Sequence, residues 1–146
     1  MEAYYDRDTG YIVKEKMSNG QTFYMAFEDL DETEDTIYWN ICLSVYSKRK
    51  HIEINENEVR ITGKNPMESV VMALKAFKIL EETILKRYPF HTNIIYCTWV
   101  DNRRRNAYYK FLSKKGYEYG RLEGKKVIMK VFPPQKDLSE RWYYYN

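Results

Sequence analysis

The clearest hydrophobic pattern in the chain predicts a long amphipathic helix that begins at Pro66 and ends before Pro89. Apolar residues recur there at intervals of three and four, while lysines and glutamates occupy the opposite side. Because proline disfavours a helical conformation in the residue before it, we expect the helix to end near Tyr88. The apolar stripe consists of Val70, Ala73, Leu74, Phe77, Leu80 and Ile84.

The rest of the central segment, residues 62–117, continues as a strand and a second helix. A nearly continuous apolar run at residues 93–100 predicts a strand that is covered on both faces. Asp101 is suited to cap a helix from Asn102 to Lys115, and Gly116 is suited to end it in a left-handed conformation. The inward side of this helix comprises Ala107, Tyr108, Phe111 and Leu112.

The first part of the chain, residues 10–61, alternates apolar and polar residues and predicts mostly antiparallel strands. Asn19 and Gly20 stand between two such runs, which is the strongest short signal for a hairpin. Residues 28–35 carry six carboxylates and predict a solvated acidic loop, and residues 1–9 predict an end that frays or packs late. The strands are predicted at residues 10–17, 21–27, 37–46 and, more weakly, 51–61.

Residues 118–132 predict a C-terminal hairpin whose turn contains Glu123 and Gly124. The aromatic tail, residues 133–146, is too apolar to stay in water, so we expect it to pack back or to form a homodimer contact. The chain contains no internal repeat and no linker, and residues 1–146 therefore predict a single domain. Its fold class is α/β, with a mixed, mostly antiparallel sheet of about seven strands flanked by two main helices.

Composition changes this picture little, because 24 basic and 21 acidic residues leave a net charge of +3. Cys42 and Cys97 lie in separate apolar runs, which predicts buried free thiols and not a disulfide. Two isolated histidines make no zinc site, so we expect no metal. No signal segment opens the chain, and no apolar run approaches the ~20 residues of a membrane helix. These features predict a cytoplasmic protein with no membrane span.

The loop before the long helix carries the clearest signal for chemistry. Asn65 is a good N-cap, Pro66 suits the first helical position, and Glu68 stands where a capping box places its acid. The free amides and the positive dipole end of the helix favour an anion in the loop, next to Gly63 and Lys64. A well-capped helix without any ligand explains the same residues.

In order and spacing, these elements resemble the GCN5-related N-acetyltransferase family. Arg60, Gly63 and Asn65 stand at the marked positions of that family's Q/R-x-x-G-x-G/A loop, and Asn65 departs from the small residue of the motif. The family's second motif is similar to the Asn- and Ala-containing helix at residues 102–109, followed by Lys-Gly-Tyr at residues 115–117. The resemblance covers roughly the second half of the chain.

The resemblance implies transfer of an acetyl group from acetyl-coenzyme A to an amine whose identity is left open. It places the pantetheine arm on a strand end, the pyrophosphate in the loop amides, and a proton donor on the second helix. The family's usual tyrosine position falls on Leu112 here. Tyr109 lies about one turn earlier and is the candidate catalytic residue, and a purely structural tyrosine is the alternative. The implied cofactor residues are Val59, Arg60, Ile61, Gly63, Lys64, Asn65, Asn102 and Asn106.

Three departures favour a second hypothesis, a non-catalytic interaction protein of the same fold that binds a protein or nucleic-acid partner. Asn65 crowds the phosphate, Pro66 removes an amide donor, and the first hairpin leaves no room for the family's two acceptor-side helices. Basic clusters such as residues 103–105 and 125–126 would meet a polyanion, either the 3′-phosphate of coenzyme A or nucleic acid. A solvated charged face explains them equally, and no recognised nucleic-acid motif is present.

Overall fold

The computed structural model describes residues 1–47 and 66–137, which form one seven-stranded mixed sheet and two helices. The sheet order is β1-β2-β3-β4-β5-β7-β6, and every neighbouring pair is antiparallel except β4 and β5, which are parallel. This confirms the predicted α/β class and the mixed, mostly antiparallel sheet. The elements are β1 (Ala3–Asp6), β2 (Gly10–Lys16), β3 (Thr22–Glu32), β4 (Thr36–Tyr46), α1 (Pro66–Arg87), β5 (Thr92–Cys97), α2 (Asn102–Ser113), β6 (Glu118–Leu122) and β7 (Lys125–Phe132).

Both predicted hairpins are confirmed. Gly20 in the β2–β3 turn has φ of 86°, and Glu123 and Gly124 in the β6–β7 turn have φ of 50° and 79°. Two consecutive residues with positive φ are the backbone that a tight two-residue hairpin requires, because its twist matches that of the flanking strands. The short turns leave only strands within residues 1–47.

Two predictions for the first part of the chain are wrong. The N-terminal residues do not fray, since β1 pairs with β2 and the Tyr5 ring lies 5.2 Å from that of Tyr11. The acidic stretch is not all loop, because β3 continues to Glu32 opposite Ile37, past a register shift between Asp29 and Asp31. The strand predicted at residues 51–61 lies outside the described residues, so the seven strands are reached without it.

One face of the sheet carries the main core. Phe77 of α1 contacts Phe27 of β3 with ring centroids 5.6 Å apart and Phe111 of α2 at 5.7 Å, so both helices pack on this face. Among the described residues, the opposite face buries a small cluster around Ile12 and Ala26. Within the described residues, β5 is therefore fully buried on one face only, and not on both as predicted. Its burial alternates along the strand, with Asn93, Ile95 and Cys97 buried and the residues between them half-buried.

The ends of both helices follow local signals. Helix α1 ends at Arg87, before Pro89 as predicted. Asp101 caps α2 as predicted, because its Oδ1 accepts a hydrogen bond from the Arg104 amide at 2.8 Å. Gly116 has φ of 87°, and the Tyr117 amide donates to the Leu112 carbonyl at 3.1 Å, which closes the C-terminal end.

After β7, the chain is tied to the α1–β5 connection, since the amides of Gln135 and Lys136 donate to the Pro89 carbonyl. The aromatic residues of the tail, and with them the predicted homodimer contact, lie outside the described residues. No helix in the described part of the chain is long and apolar enough to cross a membrane. Both cysteines are buried free thiols, as predicted.

Candidate ligand cleft between the two helices

The parallel strands β4 and β5 separate halfway along β4. They pair from Thr36 opposite Thr92 to Asn40 opposite Tyr96, after which β5 ends at Cys97. Strand β4 continues to Tyr46, paired with β3 but with no further partner on its β5 side among the described residues. In α/β sheets, the space beyond the carboxyl ends of parallel strands is where ligands bind most often.

A cleft of about 640 Å³ lies at this separation, between α1 and α2. Its volume falls in the range of roughly 300–1,000 Å³ that is usual for small-molecule sites. The floor is apolar and comes from Phe23 and Met25 of β3 and from Ile41, Leu43 and Val45 of β4. The walls are formed by the first half of α1, by Cys97 and Thr98 after β5, and by the inward side of α2.

The predicted apolar stripe of α1 is buried over only part of its length. Phe77 and the inward residues after it are buried, whereas Val70 and Leu74 are 44% and 40% exposed. Both exposed residues line the cleft, so among the described elements the first half of the stripe faces the cleft and not the sheet. An exposed apolar strip on an amphipathic helix is unfavourable in water, which makes this half of α1 suited to an apolar ligand.

A second concavity of about 650 Å³ lies beside the β2–β3 hairpin. It is lined by turn residues and by charged side chains, among them Lys14, Glu15 and Lys16. Its wall lacks the continuous apolar surface of the cleft between the helices, so it is the weaker site for a cofactor.

Two of the titratable groups that line the cleft, besides its lysines Lys110, Lys114 and Lys115, have a raised pKa. Burial raises the pKa of the Tyr108 hydroxyl to about 12 and that of the Cys97 thiol to about 12. Both groups are therefore protonated at neutral pH, because desolvation disfavours their charged forms. A protonated buried thiol is a poor nucleophile, whereas a protonated tyrosine can donate a hydrogen bond to a developing negative charge.

The predicted catalytic residue, Tyr109, lies elsewhere on α2. Its side chain is 37% exposed, and its ring stacks on that of Tyr119 with centroids 4.5 Å apart. It does not line the cleft, because neighbouring residues of a helix with 3.6 residues per turn point in different directions. The sequence carried the signal for Tyr108, since helical periodicity placed it on the inward side of α2.

The predicted cofactor residues on α2 are also outside the cleft. Asn102 and Asn106 are exposed, and the Asn106 Oδ1 accepts a hydrogen bond from Arg105 at 3.4 Å. The predicted strand end and phosphate loop lie outside the described residues. That set comprises Val59, Arg60, Ile61, Gly63, Lys64 and Asn65.

The first turn of α1 is held by the β2–β3 hairpin. The Glu68 carboxylate accepts hydrogen bonds from the Ser18 amide, at 2.8 Å, and from the Ser18 hydroxyl. The hydroxyl bond and then the amide bond lower the pKa of Glu68. Asn65, its predicted capping partner, lies outside the described residues. The contact with Ser18 fixes where the mouth of the cleft begins relative to the sheet.

No protein-family model matches the chain, and no curated protein matches it either.

Proposed function

We propose that the protein is an acetyl-coenzyme A-dependent N-acetyltransferase that holds the acyl end of its cofactor in the cleft between α1 and α2. The observation that carries the proposal is the separation of β4 and β5 above an apolar floor. The order of elements supports it, since strand, helix, strand, helix and hairpin follow one another as in the resembling family.

The open side of β4 offers a surface for the pantetheine arm. The arm contains amide groups, and an extended amide chain can add to a free strand edge through main-chain hydrogen bonds. Residues 41–46 of β4 present such an edge within the described part of the chain. They supplement the predicted contacts at Val59, Arg60 and Ile61, which rest on the resemblance alone.

The pyrophosphate belongs at the start of α1 in this proposal. Gly63, Lys64 and Asn65 directly precede this helix of 22 residues. Its unpaired N-terminal amides and its dipole favour a negative group at that end. The acyl group would then extend from the loop along the first half of α1, past the exposed side of Val70 and Leu74.

Tyr108 is the hydrogen-bond donor to the leaving group that the cleft supports best. In acetyl transfer, the amine nitrogen forms a bond to the thioester carbonyl carbon, the C–S bond breaks, and the sulfur leaves as a thiolate. The proton that the acylated nitrogen gives up passes to water. A free thiol has a pKa of about 8.5, well below that of Tyr108, so complete proton transfer from the tyrosine is uphill. A hydrogen bond from Tyr108 would instead stabilise the charge that develops on sulfur. Tyr109 remains the competing hypothesis, from the exposed side of α2.

Two adjacent valines allow a matched test by titration calorimetry with acetyl-coenzyme A. Val70 lines the cleft and is 44% exposed, whereas Val71 does not line it and is 45% exposed. Val70→Trp should fill the cleft and weaken binding at least about tenfold, which corresponds to 1.4 kcal/mol. Val71→Trp makes the same change in the same helix and should leave binding unaltered.

Equal effects of the two substitutions, or a flat titration with folded wild-type protein, would exclude the cleft as the cofactor site. Acetyl transfer is then measured on a panel of primary amines. Cofactor binding without transfer to any amine would favour the non-catalytic interaction protein of the second hypothesis.

A further inference from the structure

The small net charge of the chain conceals a strongly basic region. Residues 102–132 contain ten lysines and arginines but only two glutamates, which gives this region a net charge of +8. Because the whole chain carries +3, the remaining residues together carry −5. These 31 positions comprise α2, β6 and β7, which are consecutive in the fold at one edge of the sheet. The basic charge is thus concentrated on one part of the surface.

Few of these cations are neutralised nearby. Within the described residues, Arg104 alone of the ten forms an ion pair, with Asp101 at 3.2 Å. Arg121 and Lys126 stand directly opposite each other on β6 and β7. Like charges at directly opposed positions are unfavourable for the sheet, so this arrangement is better explained by an anionic partner than by stability.

An aromatic cluster lies among these charges. The Tyr109 and Tyr119 rings are stacked with an interplanar angle of 15°, and the Trp99 ring contacts Tyr119 at 6.0 Å. Both tyrosines are partly exposed, at 37% and 38%. The Lys126 ammonium lies 4.9 Å from the centroid of the Tyr119 ring. The cluster therefore combines exposed flat rings with a cation in direct contact.

Helix α2 extends this surface with further donors. Arg105 and Asn106 precede Tyr109 by four and three residues, and side chains at these spacings are neighbours on a helix surface. Arg103 is exposed and precedes Asn106 by three residues, about one turn of the helix. An aromatic column flanked by arginines and a lysine has the chemistry that binds bases by stacking and phosphates by charge.

We infer that the surface formed by α2, β6 and β7 binds single-stranded nucleic acid, with a base stacked on Tyr109 and phosphates held by Arg103, Arg105 and Lys126. A single strand is favoured over a duplex because exposed rings stack on unpaired bases, which a duplex conceals. Tyr109 and the flanking donors lie outside the cleft, so this inference does not depend on the acetyltransferase proposal.

The first test is the fluorescence anisotropy of a labelled oligothymidylate of ~16 nucleotides, the upper site size of one small single-strand-binding fold. We expect saturable binding at about 50 mM salt that weakens as salt rises, because phosphate contacts release counterions. Removing two phosphate contacts with Arg103→Ala/Arg105→Ala should reduce the slope of log K against log salt by about 1.4. Lys75→Ala/Lys78→Ala removes the same charge from exposed positions of α1 and should leave the slope unchanged.

The second test separates stacking from charge. Tyr109→Ala should weaken binding roughly tenfold, within the range measured for the loss of one base-stacking side chain, whereas Tyr109→Phe keeps the ring and the affinity. Tyr4→Ala, at a tyrosine of β1 that is 48% exposed, is the control and should bind as the wild type does. Circular dichroism verifies that each variant is folded.

Several results would overturn the inference. They are no binding at low salt, equal loss of slope in both double variants, unchanged affinity in Tyr109→Ala, and stronger binding of a duplex of equal length. Displacement of the oligonucleotide by an equal concentration of coenzyme A would overturn it as well, and would assign the arginines to the cofactor's phosphates. Equal competition by a polyglutamate peptide would indicate an acidic protein partner instead.

Discussion

Asn93 holds together the segments from which the cleft opens, and its loss should destabilise the whole fold. The residue is 1% exposed at the start of β5, opposite Ile37 of β4. Its Oδ1 accepts a hydrogen bond from Trp39 Nε1 at 3.0 Å, and its Nδ2 donates to the Tyr88 carbonyl at 3.1 Å. One side chain thus connects β4, β5 and the segment that follows α1.

The expected loss of stability in Asn93→Ala follows from the hydrogen-bond partners of Asn93. Asn93→Ala leaves the indole N–H of Trp39, itself 1% exposed, without its acceptor, and deprives the Tyr88 carbonyl of a donor. Each buried group left unsatisfied costs about 1–3 kcal/mol. The Tyr88 carbonyl also accepts a hydrogen bond from the His91 amide at 3.4 Å. The cost of removing the Asn93 donor from this carbonyl is therefore smaller than the cost of removing the acceptor from Trp39. We therefore expect a total of about 3 kcal/mol, which lowers the melting temperature by roughly 6–12 °C in a chain of this size.

Urea and thermal unfolding, followed by circular dichroism, measure this change. Asn106→Ala is the control, since Asn106 is exposed on α2 and such substitutions usually stay within about 0.5 kcal/mol. A double-mutant cycle with Trp39→Phe should show coupling of about 0.5–3 kcal/mol between the two buried side chains. A loss in Asn93→Ala no larger than that of the control would refute the reasoning, because the indole would then have found another acceptor.

Two further predictions concern the groups that line the cleft. Tyr108→Phe should lower the turnover of acetyl transfer by roughly a hundredfold with little change in cofactor affinity, because it removes a hydrogen bond to the charge that develops on sulfur, and Tyr109→Phe should not. Steady-state kinetics of both variants decide between the two tyrosines. Burial raises the pKa of Cys97 from 9.0 to about 12, so the folded state retains a proton that the unfolded state loses above pH 9. The free energy of unfolding should therefore fall as pH rises from 9 to 12, and it should fall less steeply in Cys97→Ala. Urea titrations at several pH values measure this dependence, and equal slopes of the free energy of unfolding against pH in the two proteins would contradict the prediction.

Local signals in the sequence were sufficient for the turns and helix ends. The capping carboxylate of Asp101 and the positive φ at Gly116 and Gly124 each depend on one or two residues. Strand β1 and the end of β3 could not be found this way, because each depends on pairing with a neighbouring strand and not on its own residues. Tyr4 forms a strand because Ile12 lies opposite it, and Asp31 because Tyr38 does. An acidic sequence that reads as loop on its own becomes strand when a neighbouring strand continues beside it.

Tyr108 and Tyr109 show which kind of sequence argument correctly locates the tyrosine that lines the cleft. Counting back from Gly116 along the family motif falls on Leu112, and Tyr109, the candidate about one turn earlier, is on the exposed side of α2. Helical periodicity placed Tyr108 with Leu112 on the inward side, where both line the cleft. The counted position therefore lies on the inward side but carries no hydroxyl, and the step from it to Tyr109 leaves that side. Periodicity follows the 3.6-residue repeat of this helix and finds the inward tyrosine directly.

Charge was the signal that whole-chain composition concealed, and the fold explains why the two signs do not cancel. The acidic residues 28–35 lead to the start of β4, and the Thr92 amide at the start of β5 donates to the Asp35 carbonyl at 2.8 Å. Arg103 follows the opposite end of β5, a strand of six residues that spans about 20 Å at 3.3 Å per residue. The Debye length is only about 8 Å at physiological ionic strength, so exposed charges at that separation are screened from each other. A ligand near α2 therefore experiences the local excess of cations and not the net charge of +3.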